Sequence, residues 1–129
     1  MKYKILVVED NEDIRENTTE LLELFNYCVC AAKNCKEGLD KALQETPDLI
    51  LSDIRMPVMD GLNLLERVRR LSTLKNARFI FFSSLSEKKH IEECMRLGAD
   101  DYIIKPFSGD ELKGKVKKLL DPSWISVEC

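Results

Sequence analysis

A chain of 129 residues with 44% apolar and 33% charged residues is long enough for one domain with one core, and no apolar run is long enough to cross a bilayer. The formal net charge of -3 argues against a nucleic-acid-binding segment, where a basic surplus is the norm, and MKYKILVVEDN reaches acid too soon to be a secretory signal. These features describe a soluble, cytoplasmic protein with protein partners.

Strand-like and helix-like stretches alternate five times along the chain. KYKILVV, residues 2–8, is the β-rich apolar run of a strand covered on both faces. It ends on Glu9 and Asp10, with Glu12 and Asp13 close behind, and carboxylates crowded at a strand end repel one another unless a cation or shared proton relieves them. The next stretch, NEDIRENTTELLELFN, spaces Ile14, Thr18, Leu21, Leu22 and Phe25 as one helical face, with acids in the first turn where the helix dipole favours them. YCVCAA predicts a second strand and CKEGLDKALQE a helix ended by Pro47.

DLILSD predicts a third strand ending at Asp53, followed by the turn IRMPVMDG and a helix with Leu62, Leu65 and Val68 on one side. RFIFFS is the fourth strand, ending at Ser83 and Ser84. SEKKHIEECMRL predicts a helix over 86–97 with Ile91, Cys94 and Met95 on its apolar face, stopped by Gly98. His90 reads there as solvated surface. DDYIIK is the fifth strand, closing on Lys105, and DELKGKVKKLL a helix with Leu112, Val116 and Leu119 aligned. Residues 122–129, DPSWISVEC without its first Asp, read as a short tail or the start of a linker after a domain of residues 1–121.

The five cysteines, Cys28, Cys30, Cys35, Cys94 and Cys129, are an odd number without the spacing of a disulfide or zinc framework. Cys28 and Cys30 share one side of a strand and could hold a soft metal, but small buried thiols in a reducing cytosol are the ordinary reading.

Serial β/α units imply a doubly wound α/β sandwich, because each right-handed crossover returns over a parallel sheet. The corresponding arrangement is flavodoxin-like, (βα)5, with strand order 2-1-3-4-5 and a ligand site outside the carboxyl ends of the strands. Those ends carry Glu9, Asp10, Asp53, Ser83, Ser84 and Lys105. Taken singly, a strand-end lysine is usually surface, a serine after FIFF a turn cap, and an acid pair a helix cap. Meeting on one edge, they make the set that phosphoryl transfer to a carboxylate needs: Asp53 as nucleophile, Glu9 and Asp10 with the backbone carbonyl of Arg55 to hold Mg²⁺ (or Mn²⁺), and Lys105 and Ser83 for the phosphoryl oxygens.

On these residues the chain resembles the receiver domains of two-component response regulators, the CheY-like superfamily. ILVVEDNED matches the acid-pocket segment, DLILSDIRMPVMDG the phosphoacceptor segment, FIFFSS the hydroxyl strand and GADDYIIKPF the lysine segment, in the family's order from about Lys4 to Leu120. The resemblance implies phosphoacceptance at Asp53, metal binding by Glu9, Asp10, Asp53 and the Arg55 carbonyl, phosphoryl contacts from Ser83 and Lys105, and an aromatic switch at Tyr102. It also implies a cis peptide before Pro106.

Two positions depart from the common pattern: Ser83 stands for threonine and Ser84 for a small apolar residue. Arg55 and Leu85 fall on the variable positions beside the phosphate, and apolar Leu85 implies a long-lived phosphoryl group. The implied partners are a sensor histidine kinase or histidine phosphotransfer protein, whose helix would dock near Ile14 and Arg15, and a downstream effector or second protomer at the α4-β5-α5 face. That face includes Lys88, Arg96, Lys113, Lys115 and Lys117, which read equally well as solvated surface.

Such a domain is a phosphorelay element rather than a turnover enzyme, and stands alone or begins a longer regulator, control of transcription being the commonest use in the family it resembles. A haloacid-dehalogenase-like phosphatase shares the nucleophilic Asp, metal, hydroxyl and Lys, but needs a second Asp where this chain has Arg55. A flavodoxin-like nucleotide binder needs a phosphate-cradling loop where this chain has EDNED. A pseudo-receiver would not need the full set of Asp53, acids, Ser83 and Lys105.

Overall fold

The computed structural model describes residues 2–55 and 60–121. The tail, the four residues after Arg55 and Cys129 lie outside the described residues.

Ten elements alternate: β1 (Lys4–Val8), α1 (Glu12–Leu24), β2 (Cys28–Ala32), α2 (Cys35–Glu45), β3 (Leu49–Ser52), α3 (Gly61–Arg70), β4 (Arg78–Ser83), α4 (Lys88–Arg96), β5 (Asp101–Ile104) and α5 (Gly109–Leu120). All strand pairs are parallel and the order is β2-β1-β3-β4-β5, as the serial units predict. The register sets Val8 beside Ser52, Ser52 beside Phe81 and Ser83 beside Ile104, so the residues that follow these strands emerge on one edge.

Alternation along each strand divides the core. Leu6, Val8, Ile50, Phe79 and Phe81 pack with Leu64, Leu65, Val68 and Cys94 beneath α2, α3 and α4. Ile5, Val7, Leu49, Leu51, Ile80, Phe82 and Ile103 pack with Leu22, Leu112 and Val116 beneath α1 and α5. Phe79, Phe81 and Phe82 are fully buried, and truncating any one to alanine is expected to cost about 3–5 kcal/mol.

Capping explains most helix starts. Asn11, Asn34, Asp60 and Ser108 each accept a hydrogen bond from the backbone N–H three residues on. The fourth helix differs from expectation. It begins at Lys88 rather than residue 86, behind Glu87, which makes no side-chain cap, and Met95 from its predicted apolar face is exposed. Gly98 follows it at φ 116°, the left-handed region that favours glycine.

Cys35 and Cys94 are buried and Cys30 half-buried, but Cys28 is exposed, because β2 is an edge strand whose first residue no helix covers. Among the described residues no helix is long and apolar enough to cross a membrane.

Candidate functional site

The carboxyl edge of the sheet gathers charge. Glu9 follows β1, its N–H held by the Ala32 carbonyl at 3.0 Å; Asp53 follows β3, its N–H held by Val8 at 3.0 Å; and Lys105 follows β5, its N–H held by Ser83 at 2.8 Å. The ladder thus continues one residue past each strand and fixes where these side chains start. Carboxylate oxygens of Glu9, Asp10 and Asp53 lie within 4.8 Å of one another. Glu9 is 1% exposed, whereas Asp10 faces solvent.

Lys105 is the counter-charge. Its ammonium donates to Asp53 Oδ2 at 3.0 Å and to Glu9 Oε1, and stands 4.6 Å from the centroid of the Phe82 ring. Where the resemblance implies pairing with a phosphoryl oxygen, the ammonium here pairs with the acids themselves. Burial is the largest influence on both Glu9 and Lys105: it pushes the Glu9 carboxyl up, whereas for Lys105 its lowering effect is outweighed by hydrogen bonds to Glu9 and Asp53, which hold the amine protonated. Three carboxylates face one ammonium.

Backbone groups position the acids further. Asp53 Oδ1 accepts from the Ile54 N–H at 2.6 Å, and Glu9 Oε2 from the Asn11 N–H at 3.1 Å. Arg15 Nη1 donates to the Glu9 carbonyl at 2.9 Å, tying α1 to the acid turn. Beneath Asp53, α3 approaches so closely that a Cβ at Gly61 would stand 2.3 Å from the Asp53 carbonyl oxygen. Only glycine lets the capped start of α3 abut the Asp53 backbone.

The donors at this edge are all oxygen, as a small hard cation requires, and the three carboxylates are near enough to share one. Arg55 is exposed. Lys105 and Pro106 are joined by a cis peptide bond.

Ser83, 2% exposed, accepts from the Leu85 N–H at 3.2 Å through Oγ, and the Leu85 carbonyl accepts from the Tyr102 hydroxyl at 2.6 Å. Tyr102 is 4% exposed. The ring of Tyr102, the aromatic switch that the resemblance implies, is already inward, and Leu85 bonds both it and Ser83. Residue patterns offer no sign of this bridge, which uses the backbone of Leu85, nor of the Arg15 tie.

Beside the acids, Ile14, Thr18 and Leu21 of α1 face Ser84, Lys105 and Phe107 across a groove of about 590 Å³. His90 is half-buried rather than fully solvated, its ring 6.5 Å from that of Tyr102.

A five-stranded parallel sandwich in this order, with an acid cluster and a lysine at its carboxyl edge, defines a CheY-like α/β protein. Residues 5–117 match the model of the response regulator receiver domain, and the chain belongs to that family. It is 37% identical over 120 residues to sporulation initiation phosphotransferase F of Bacillus subtilis, covering 93% of this chain and 95% of that one. With the alkaline phosphatase synthesis transcriptional regulatory protein PhoP of B. subtilis it shares 36% identity over 126 residues, 98% of this chain but 52% of the relative, so it spans about half the length of such regulators.

Among solved structures, the Vibrio cholerae chemotaxis protein CheY4 superposes with a TM-score of 0.88 at 29% identity, covering 93% of this chain and all (100%) of that one. The receiver domain of the Pseudomonas aeruginosa sensor histidine kinase PA1611, determined with a magnesium ion coordinated in its active-site cleft, superposes with a TM-score of 0.84 at 26% identity, covering 92% and 98% of the two chains. The family is one of two-component signalling rather than of phosphatases.

Proposed function

We propose that this receiver accepts a phosphoryl group on Asp53 from the phosphohistidine of a sensor kinase or histidine phosphotransfer protein and uses it to alter a protein-binding face. The observation that carries this reading is the convergence of Glu9, Asp10, Asp53 and Lys105 from three strand ends.

Glu9, Asp10, Asp53 and the Arg55 carbonyl would hold Mg²⁺ or Mn²⁺, which when bound offsets the carboxylate repulsion and the charge on the phosphoryl oxygens. An Asp53 carboxylate oxygen attacks phosphorus, the phosphorus–nitrogen bond to the donor imidazole breaks with its electron pair, and an acyl phosphate remains on Asp53. Lys105, already in reach of Asp53, turns from the acids to a phosphoryl oxygen. Ser83 donates a hydrogen bond from its hydroxyl to another, and because the Leu85 N–H bonds to Ser83 Oγ, the β4–α4 loop is drawn along with it. Tyr102, joined to the same Leu85, carries the change to α4, β5 and α5.

The groove beside α1 would seat the donor's helix near Ile14 and Arg15. The face of α4, β5 and α5 would meet an effector or a second protomer. Residues 1–121 constitute the receiver on this reading, 122–129 a tail or linker, and nucleic acid and membrane are not among its own ligands; work in the cytoplasm follows from the reading. Longer relatives such as PhoP suggest control of transcription as one output of a regulator carrying this domain.

The test is incubation with Mg²⁺ and acetyl phosphate, comparing the parent protein with Asp53→Ala by intact mass. One phosphoryl group on the parent and none on the variant is the expected result; equal labelling of both refutes the assignment.

A further inference from the structure

Four of the five described helices begin with a side-chain cap, and α4 does not. Its first turn holds Lys88, Lys89 and His90 and no acid. Free N–H groups at a helix start carry partial positive charge, so cations there are unfavourable, and a third one adds to two already present.

His90 is the chain's single histidine, and imidazole is the side chain that ordinarily changes charge between about pH 5 and 8. Its Nε2 lies 3.8 Å from Sγ of the fully buried Cys94. Burial pushes the Cys94 thiol up, so Cys94 keeps its proton and can donate to a neutral Nε2. An imidazolium would set a second donor against it. From β5, Tyr102 faces His90 with ring centroids 6.5 Å apart at 86°. That separation is beyond the about 6 Å at which a cation over a ring gains appreciably.

The remaining charged neighbours do not reverse the sign. On α4, Glu87 and Glu93 stand three residues to either side, but Glu93 turns to Arg96 at 3.4 Å, and both acids are exposed and screened. Lys88 pairs with Glu92 at 4.0 Å. From α5, Lys115 reaches the Tyr102 carbonyl at 2.5 Å and pairs with Asp101 at 3.4 Å and Glu111 at 3.9 Å, so those two acids are turned to their own cation.

We propose that His90 is a proton-operated element: on protonation it loosens the first turn of α4 and frees Tyr102 from its inward position, changing the α4–β5–α5 face without any event at Asp53. The consequence is a face whose shape depends on pH as well as on the state of the carboxyl edge.

The test follows the His90 ring, the Tyr102 ring and the α4 amides by NMR between pH 8 and 5.5 on the full chain, with His90→Gln and His90→Arg beside it. The expected result is that Tyr102 and the amides of residues 88–91 respond at the His90 midpoint, with amide exchange, corrected for the intrinsic pH effect, rising about two- to fivefold. His90→Gln is expected to be flat, and His90→Arg loosened even at pH 8. Tyr102 and α4 signals that ignore the His90 midpoint would overturn the proposal. So would an undiminished response in His90→Gln, which would assign the effect to the acids of the carboxyl edge.

Discussion

The two ends of the sheet handle charge in opposite ways. At the amino edge, Arg69 donates to the carbonyls of Gly98 at 2.9 Å and Ala77 at 2.6 Å and pairs with Asp100 at 3.0 Å. Asp100 in turn accepts from the Phe79 N–H at 2.8 Å and approaches Arg78 at 3.5 Å. Every strong group in that knot has a partner of opposite sign or a backbone dipole, and the knot ties α3 to the start of β4 and the turn before β5. At the carboxyl edge three carboxylates cluster, and the one ammonium there, Lys105, bonds to two of them, Glu9 and Asp53. The first arrangement is complete in itself and reads as structure; the second is incomplete, with carboxylates near enough to share an added cation, and it is the place where the proposed phosphoryl group would go.

The largest expected effect lies at the incomplete end. Lys105→Ala removes the charge that faces a phosphoryl oxygen and should lower the labelling rate of Asp53 from acetyl phosphate by about a hundredfold, read by intact mass against time. Arg69→Met addresses the complete end: it leaves Asp100 without its main partner and should cost about 2 kcal/mol in urea unfolding while leaving the labelling rate unchanged. An equal loss of labelling would erase the distinction between the two ends.

Leu85 gives a smaller and sharper test. Its apolar side chain cannot orient a hydrolytic water, so Leu85→Glu or Leu85→Asn should shorten the lifetime of phospho-Asp53 by about tenfold, and unchanged decay would count against that role. The smallest effect is expected at Asp10, the exposed member of the cluster. Asp10→Asn relieves repulsion and should raise stability without metal by roughly half a kcal/mol, while reducing the stabilisation that Mg²⁺ confers on the parent.

The strand ends carried most of the fold and site in plain sight. A run such as DLILSD states where a buried strand stops and which acid it leaves at the edge, because apolar alternation and a terminal charge are local properties. Contacts made by backbone groups or long side chains were not legible. Arg69 reads as one of several basic residues late in α3, and only the fold brings it to Gly98 and Asp100, 29 and 31 residues on. The expected solvation of His90 failed for the same reason, since Tyr102 reaches it from another element. Met95 followed the helical period and was still exposed, because it borders an open groove with Ile104 and Lys115 rather than the closed core that takes Cys94.

The most direct measurement is the phosphoryl occupancy of Asp53, located by peptide mass mapping, as Mg²⁺ is titrated into metal-depleted protein with a small phosphodonor. No occupancy is expected under chelator, and a saturable rise with Mg²⁺, confined to Asp53. Occupancy that is independent of divalent cation, or that maps to another residue, would contradict the assignment of Asp53.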